Sequence, residues 1–363
     1  MKMRKKVTLG ELCNPSLGQV KEQPDTVIDY IDISSVDNES KNITGFQTMS
    51  FSEAPSRARK DIKKNNILVS TVRPNLNAIA VYEEETPNKT VVSTGFCVLD
   101  CKDNVDHRFV FNFCKSQAFI EDMVSQATGA SYPAVSDKIV RSSMIPAYSY
   151  EEQCQISFIL DTVSKIIADR KKELQKLDEL IKARFVELFG NKGENPNGYS
   201  EDTLGNLYKF QYGKGNNIPE DKGEYPCYGS NGIVGHHTEF NSEDAPIIGH
   251  IGAYAGIVNW GKGKHYVTYN GVICKLKTDR INPIYGFYLL QQQDFNRVAT
   301  KGGGQPFVSY GDLESPTVVV PPIEVQNDYA AFAKQVDKSK VAVQKSLDEA
   351  QVLFNSLMQK YFG

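Results

Sequence analysis

The chain lacks most of what would tie it to a membrane, an oxidising compartment or a familiar catalytic frame. No apolar run approaches the roughly 18–20 residues of a membrane span. The basic opening, Met1 to Val7, leads into Thr8-Leu9-Gly10-Glu11-Leu12-Cys13 rather than an apolar core, so no secretory leader is expected. Only seven cysteines occur, Cys13, Cys97, Cys101, Cys114, Cys154, Cys227 and Cys274. Their odd number and irregular spacing predict reduced thiols in a cytoplasmic protein rather than a disulfide framework. Cys97 and Cys101 lie close but have no second pair, so small core residues explain them better than a zinc site. No strong charge of one sign exists either: 41 Lys and Arg face 44 Asp and Glu, a net charge of −3. A histone-like polycation is thereby excluded, and local basic patches are not.

Catalytic frames are equally scarce. No Gly-x-x-x-x-Gly-Lys-Ser/Thr sequence is present, and Gly249, Gly252 and Gly256 match neither a dinucleotide fingerprint nor an S-adenosylmethionine loop. The five histidines, His107, His236, His237, His250 and His265, fall in no His-Glu-x-x-His frame and beside no Ser or Cys nucleophile. Glu11, Glu53 and Glu201 form no nuclease-like cluster with Asp and Lys. Asn282-Pro283-Ile284-Tyr285 is one residue away from the Asn-Pro-Pro-Tyr motif of amino-methyltransferases. An N-cap Asn followed by Pro at the first helical position explains it more simply. No metal, cofactor or catalytic residue is expected in this chain.

What the sequence does contain is a duplication. With a length of 363 residues at 23% charged and 40% hydrophobic, two or three modules are expected, each able to bury a core. Residues 128–190 align with 301–363 without a gap, at a constant offset of 173 and with 14 identities over 63 positions. The identities include Gly129/Gly302, Pro133/Pro306, Val135/Val308, Ser136/Ser309, Glu151/Glu324, Gln153/Gln326, Phe189/Phe362 and Gly190/Gly363. Further upstream Thr8-Leu9-Gly10 matches Thr203-Leu204-Gly205, and Phe109 and Phe111 match Tyr285 and Phe287. Residues 20–90 and 210–265 hardly align, and the first copy is about twenty residues longer.

Each copy is a globular segment followed by a long helix. A 4-3 spacing runs through Ile156, Leu160, Val163, Ile167, Arg170, Leu174, Leu177, Ile181, Arg184 and Leu188. The second runs through Tyr329, Ala333, Val336, Lys340, Val343, Leu347, Ala350, Phe354, Leu357 and Tyr361. Both are coiled-coil seams of about 38 residues, roughly 57 Å long. The globular parts carry short β-branched and aromatic runs, such as VIDYIDISSV, NNILVSTV and KHYVTYNGVICKLKT, with one helix each near 107–125 and 283–297. The expected fold class is α/β (α+β): two β-rich heads joined by two long antiparallel helices. The segments are 1–149, helix 150–190, linker 191–200, 201–322 and helix 323–363.

The candidate functional residues lie on loops suited to a polar surface. One is YPCYGSNGIVGHH (225–237), expected as a glycine-rich turn bearing Tyr228, Ser230, Asn231, His236 and His237. Another is Gly302-Gly303-Gly304-Gln305-Pro306-Phe307, with Gly129-Ala130-Ser131-Tyr132-Pro133 as its counterpart. Glycine lets a backbone approach phosphates, while Asn, Gln and Arg can bond base edges. Basic groups accompany these loops: Arg57, Arg59, Lys60, Lys63 and Lys64 in one copy, Lys214, Lys262, Lys264 and His265 in the other. Arg73, in Ser70-Thr71-Val72-Arg73-Pro74-Asn75, follows a strand and is the best placed. Candidate base contacts are Arg73, Asn75, Ser131 and Tyr132 for one copy, and Ser230, Asn231, His237, Tyr254 and Gln305 for the other.

These features resemble the specificity (S) subunits of type I restriction–modification systems over essentially the whole chain. The resemblance rests on YGSNGIVGHH (228–237), on ILVSTVRPN (67–75), and on the duplicated element from Gly-x-x-x-Pro-x-Val-Ser to a helix ending Leu-Phe-Gly or Tyr-Phe-Gly. Ala147-Tyr148-Ser149-Tyr150 departs from the proline-rich junction usual there. The family implies two target recognition domains, each reading one half of a split double-stranded DNA site. It also implies helices that set the unread spacer and dock two modification (methyltransferase) subunits carrying S-adenosylmethionine. Restriction subunits using ATP and Mg²⁺ would complete such a complex. The other readings are the target-recognition part of a methyltransferase or fused restriction enzyme, and a two-headed coiled-coil scaffold that binds only protein.

Overall fold

The structure, a computed structural model, describes residues 4–16, 18–21, 26–215, 223–299 and 304–363. Gly302 and Gly303 of the expected second loop lie outside these. The chain divides into two compact units, residues 1–171 with 345–363 and residues 172–344. Each long helix is therefore shared: its first half belongs to one unit and its last half to the other.

The first unit contains strands β1 (Lys6–Thr8), β2 (Val27–Ile31), β3 (Gln47–Ser50), β4 (Ala58–Asp61), β5 (Ile67–Ser70), β6 (Ile79–Val81), β7 (Lys89–Ser93), β8 (Phe96–Leu99) and β9 (Met144–Pro146). Its helices are α1 (Leu9–Leu12), α2 (His107–Cys114), α3 (Gln117–Gln126), α4 (Asp137–Ser142) and the start of α5 (Tyr150–Phe189). The strands form a four-stranded sheet β3-β2-β7-β4, a three-stranded sheet β6-β5-β8 and the pair β1-β9. In the second unit are α6 (Leu204–Leu207), α7 (Pro283–Gln291), α8 (Phe295–Val298), α9 (Tyr310–Glu314) and the start of α10 (Ile323–Phe362). Its strands are β10 (Ser200–Thr203), β11 (Tyr208–Tyr212), β12 (Tyr225–Gly229), β13 (Gly232–His237), β14 (Ser242–Gly249), β15 (Val258–Val267), β16 (Gly271–Leu276) and β17 (Thr317–Val320). They form a six-stranded sheet β11-β16-β14-β15-β12-β13 and the pair β10-β17. Among the described residues only β2–β7 and β12–β15 pair in parallel.

Two expectations about these elements need correction. The single helix near 107–125 is two helices, because buried Ser116 caps α3 by accepting from the Phe119 N–H at 3.2 Å. The helix near 283–297 is likewise broken, at Asp294, whose φ of 49° lies in the left-handed region. The stretch 225–237 is a β-hairpin rather than a loop, with only Ser230 and Asn231 at its turn.

The duplicated residues are framework. β1 pairs Thr8 with Met144, and β10 pairs Thr203 with Thr317, so each unit closes its chain by the same two-stranded clasp. Gly10 and Gly205 recur because a Cβ would stand 3.2 Å from the Arg141 carbonyl in one copy and 3.2 Å from that of Glu314 in the other. Buried Gln153 accepts from the Asp106 N–H at 3.0 Å and donates to the Tyr148 carbonyl at 2.9 Å. Gln326 repeats this with Asn282 at 2.8 Å and Pro321 at 2.7 Å. A buried amide bonded at both ends ties each head to the first turn of its own long helix. Where the second copy has Pro321-Pro322, the first starts its helix with a capping box. There the Ser149 N–H donates to Glu152 at 2.9 Å and the Ser149 hydroxyl accepts from the Glu152 N–H at 3.2 Å. The non-proline junction is thus an alternative start signal.

Both long helices are continuous over 40 residues. All the seam positions named above are buried or half-buried, as the 4-3 spacing requires. Within the second unit the two helices run in opposite directions, with Lys340 paired to Asp178 at 2.6 Å and the Tyr329 hydroxyl on the Ile181 carbonyl at 3.4 Å. Two fully buried phenylalanines lie outside the seams as written. Phe189 meets Tyr285 at 4.8 Å and Tyr329 at 5.5 Å, while Phe362 meets Phe109 at 5.4 Å and Phe113 at 5.7 Å. The Phe-Gly that ends each copy therefore fills the core of the other copy's head. Burial pushes the Tyr285 and Tyr329 hydroxyls well above the ordinary tyrosine range.

Phe362→Ala is expected to destabilise the first unit, and Phe189→Ala the second, each by about 3–5 kcal/mol, the usual range for a core phenylalanine. Urea unfolding followed by tryptophan fluorescence and circular dichroism checks this; Trp260 reports the second unit.

Candidate nucleic-acid interface

The site is built on a backbone contact that both units share. In the first, β5 runs on through Thr71 and Val72, which meet the loop at 128–135. The Arg73 N–H donates to the Pro133 carbonyl at 2.7 Å and the Val135 N–H to that of Thr71 at 2.9 Å. In the second, β14 runs on into His250 and Ile251 in the same way. The Gly252 N–H donates to Pro306 at 2.8 Å and the Val308 N–H to His250 at 3.0 Å. Pro133 and Pro306 are duplicate partners, so Arg73 and Gly252 occupy one scaffold position, and Tyr132 and Gln305 another. Sequence alone hides this, because Thr71-Val72-Arg73 and His250-Ile251-Gly252 share no residue.

In the first unit Arg73, Asn75, Ser131 and Tyr132 come together at the surface. Arg73 has φ 49° and its guanidinium stands 4.9 Å from the centre of the Tyr132 ring, which is 69% exposed. Asn75 and Ser131 are exposed on the adjoining turn and loop. A groove of about 650 Å³ lies beside them, lined by Ile33, Asp37, Glu39, Thr44, Arg73 and Tyr132.

Most of the basic residues expected to accompany Arg73 are otherwise committed. Arg57 donates to the Tyr30 hydroxyl at 3.2 Å and pairs with Asp32 at 2.5 Å, contacts that raise its basicity further. Arg59 lies over Phe51 at 5.2 Å and donates to the Ala58 carbonyl. Lys60 is a fold element, reaching Asp137 and the Phe96 carbonyl at 2.6 Å each. Lys63 and Lys64 are exposed.

In the second unit the candidates separate by depth. Tyr228 is buried, its hydroxyl on the Trp260 carbonyl at 3.4 Å, so it packs the sheet and has no surface from which to read a base. His265 is fully buried; desolvation lowers its pKa, and Nδ1 bonds the Gly263 carbonyl at 2.8 Å, so it is no phosphate contact. The Ser230 hydroxyl lies 2.7 Å from the Ile251 carbonyl and 2.8 Å from that of Asn270, clamping the hairpin turn to two neighbouring loops. That clamp sets exposed Asn231 near the turn bearing Tyr254, which is 50% exposed. Gln305 and Phe307 flank the shared backbone contact, both exposed. On the hairpin, His236 is half-buried and His237 stacks on Tyr266 at 3.7 Å. The Tyr266 hydroxyl holds the carbonyl of exposed Lys214 at 2.9 Å. Lys262 is exposed, and Lys264 lies over Phe240 at 4.7 Å.

Three tyrosines of this surface, gathered round buried His250, escaped the sequence reading. Tyr212 stacks on Tyr310 at 4.4 Å and on His250 at 4.3 Å, and His250 meets Tyr269 at 5.1 Å. Tyr269 and Tyr310 are 44% and 38% exposed. The available signal was position: Tyr310 directly follows the duplicated Ser309 that caps α9.

Comparison with known proteins adds independent findings. The family model of the type I restriction modification DNA specificity domain matches residues 1–179 and 200–350. The chain is 28% identical over 328 residues to the type I restriction enzyme EcoprrI specificity subunit of Escherichia coli, spanning 82% of this chain and 78% of that one. It is 24% identical over 172 residues to the MjaIX specificity subunit of Methanocaldococcus jannaschii, spanning 43% and 38%. The fold is similar to that of the type I restriction–modification S subunit from M. genitalium, at a TM-score of 0.67 and 18% identity over 99% of this chain and 96% of that one. A second similar chain comes from a structure of complex assembly in the type I R-M system, with a TM-score of 0.61 and 22% identity over 100% and 98%.

The methyltransferase-like tetrapeptide is structural. The Asn282 side chain caps α7, accepting from the Ile284 N–H at 2.9 Å and the Tyr285 N–H at 3.3 Å, while its amide donates to Asn327 at 2.7 Å. Tyr285 is fully buried with its hydroxyl on the Val319 carbonyl at 2.9 Å. The Asn282 side chain is spent on the helix cap and on Asn327, and Tyr285 is closed off by burial. Asn282→Ala is expected to cost about 0.5–2 kcal/mol of stability, the value of an N-cap. Denaturant midpoints of the two proteins measure it.

Proposed function

Since the chain belongs to the family of type I restriction–modification DNA specificity proteins, we propose that it is a DNA reader without catalysis of its own. Each unit recognises one half of a bipartite double-stranded site. The observation that carries this reading is the pairing of identical framework with divergent loops. The clasp, the buried glutamine and the Phe-Gly plug recur in both copies, while Arg73 and Tyr132 stand where the second copy has Gly252 and Gln305. Two half-sites of different sequence require that combination: one way of placing a loop, two sets of side chains.

The long helices then act as the spacer between the halves and as the docking surface for two methyltransferase subunits. Their outward faces carry apolar side chains that a partner would cover, including Phe158 at 74% exposure, Val341 at 71% and Val352 at 68%. In this reading S-adenosylmethionine is held by those partner subunits, and ATP and Mg²⁺ by restriction subunits. With a net charge of −3, this chain leaves part of the phosphate neutralisation to its partners.

The spacer role gives the test. Removing one heptad from each helix shortens both by about 10 Å, or about three base pairs of the unread gap. Methylated motifs from the parent and shortened complexes should show the same two half-sites with a smaller gap. An unchanged gap in an assembled complex would remove the spacer role.

A further inference from the structure

We propose that Arg73 reads a guanine in the half-site of the first unit, and that the scaffold position shared by Arg73 and Gly252 is where the two units diverge in base choice. This rests on the reading of each unit as a half-site reader and names the chemistry of one contact within it.

The first argument is elimination among the arginines. The first unit has seven: Arg4, Arg57, Arg59, Arg73, Arg108, Arg141 and Arg170. Arg4 pairs with Glu152, Arg57 with Asp32, and Arg108 with Asp161 and Glu83. Arg59 and Arg141 donate to main-chain carbonyls, and Arg170 has a partner as well. Among the described residues the Arg73 guanidinium makes no hydrogen bond or ion pair, although acids line the groove beside it. Those acids are engaged elsewhere. The Asp37 carboxylate accepts the Ser40 N–H at 2.6 Å and that of Glu39 at 3.1 Å, which lowers its pKa, and Glu39 pairs with Lys171. A full set of planar donors is thus left facing solvent.

The second argument is preorganisation. Arg73 sits at φ 49° with its N–H fixed on Pro133, so its backbone cannot drift. Its guanidinium rests on the Tyr132 ring, which restricts a side chain that would otherwise lose rotamer freedom on binding. An unpaired guanidinium held over a ring keeps its N–H fork free, and the partner matching two parallel N–H donors in the major groove is O6 and N7 of guanine.

The duplication supplies the third. At the same position the second unit has Gly252, with φ 95° and nothing within 4 Å of where a Cβ would stand. Among the described residues nothing there crowds the first atom of a side chain, yet the position carries none, and Gln305 stands where the first unit has Tyr132. One scaffold therefore carries an arginine reader in one copy and none in the other.

Arg73→Gly tests this, because glycine is at ease in the left-handed region and the variant removes only the side chain. The parent and R73G chains are assembled with their methyltransferase subunits and assayed on duplexes in which every position of the bipartite motif is varied singly. R73G should lose about 5- to 150-fold of discrimination at one G·C pair of one half-site, with the other half and the gap unchanged. R73K keeps the charge without the fork and should leave that preference weakened. The proposal is overturned if R73G has the parental profile, or if the half-site read by the first unit contains no G·C pair. A uniform loss on all sequences with a shallower salt dependence also overturns it, since that marks a phosphate contact. A parent complex with no split motif would instead refute the half-site reading itself. A split motif indifferent to R73G refutes only the role of Arg73.

Discussion

Each long helix ends by pushing a phenylalanine into the core of a head it did not start from, and the rest of the structure depends on that exchange. Phe362 closes the first unit among Phe109, Phe113 and neighbouring side chains, and Phe189 closes the second among Tyr285, Tyr329 and Phe185. Both rings are about 1% exposed. Neither head completes its core from its own copy, so the chain folds as two units that each need residues from both halves of the sequence. The Phe-Gly pairs at 189–190 and 362–363 recur because each phenylalanine fills the core of the unit it enters.

Such an arrangement separates what must stay from what can change. The clasp strands, the glycines at positions 10 and 205, and the glutamines bonding Asp106 and Asn282 hold each head to its helices through backbone groups. Because those bonds use main-chain atoms on one side, they constrain few neighbouring side chains. The loops resting on Pro133 and Pro306 also take their positions from backbone hydrogen bonds, so the side chains they display are free of the framework. Divergent surfaces on one duplicated scaffold follow directly from this division.

The long helices were legible because a 4-3 apolar spacing over 40 residues admits no competing element. The duplication was legible wherever packing fixes residue type, as at Phe189 and Phe362. The plugging role of those residues was not, because position in a heptad says nothing about which head a helix end enters. Ser116 and Asp294 broke helices that apolar periodicity had joined, each through a single cap or left-handed residue. Among the candidate contacts, residue type misled most where the group was buried. Tyr228, His265 and Lys60 have the chemistry of a DNA contact and spend it on internal carbonyls and a carboxylate. Arg73 and Tyr132, singled out by their place after a strand and in the duplicated loop, lie exposed side by side. The equivalence of Arg73 with Gly252 required the hydrogen bonds, since no residue type is shared.

The measurement that bears most directly on the account is the pattern of N6-methyladenine left by this chain and its methyltransferase partner in a host free of other methylation. Two heads built on one framework with different loops predict a split motif: two short, unlike half-sites around a gap of fixed length. A continuous motif would contradict the account, because only one surface would then be reading. An assembled complex that methylates no specific sequence would contradict it outright.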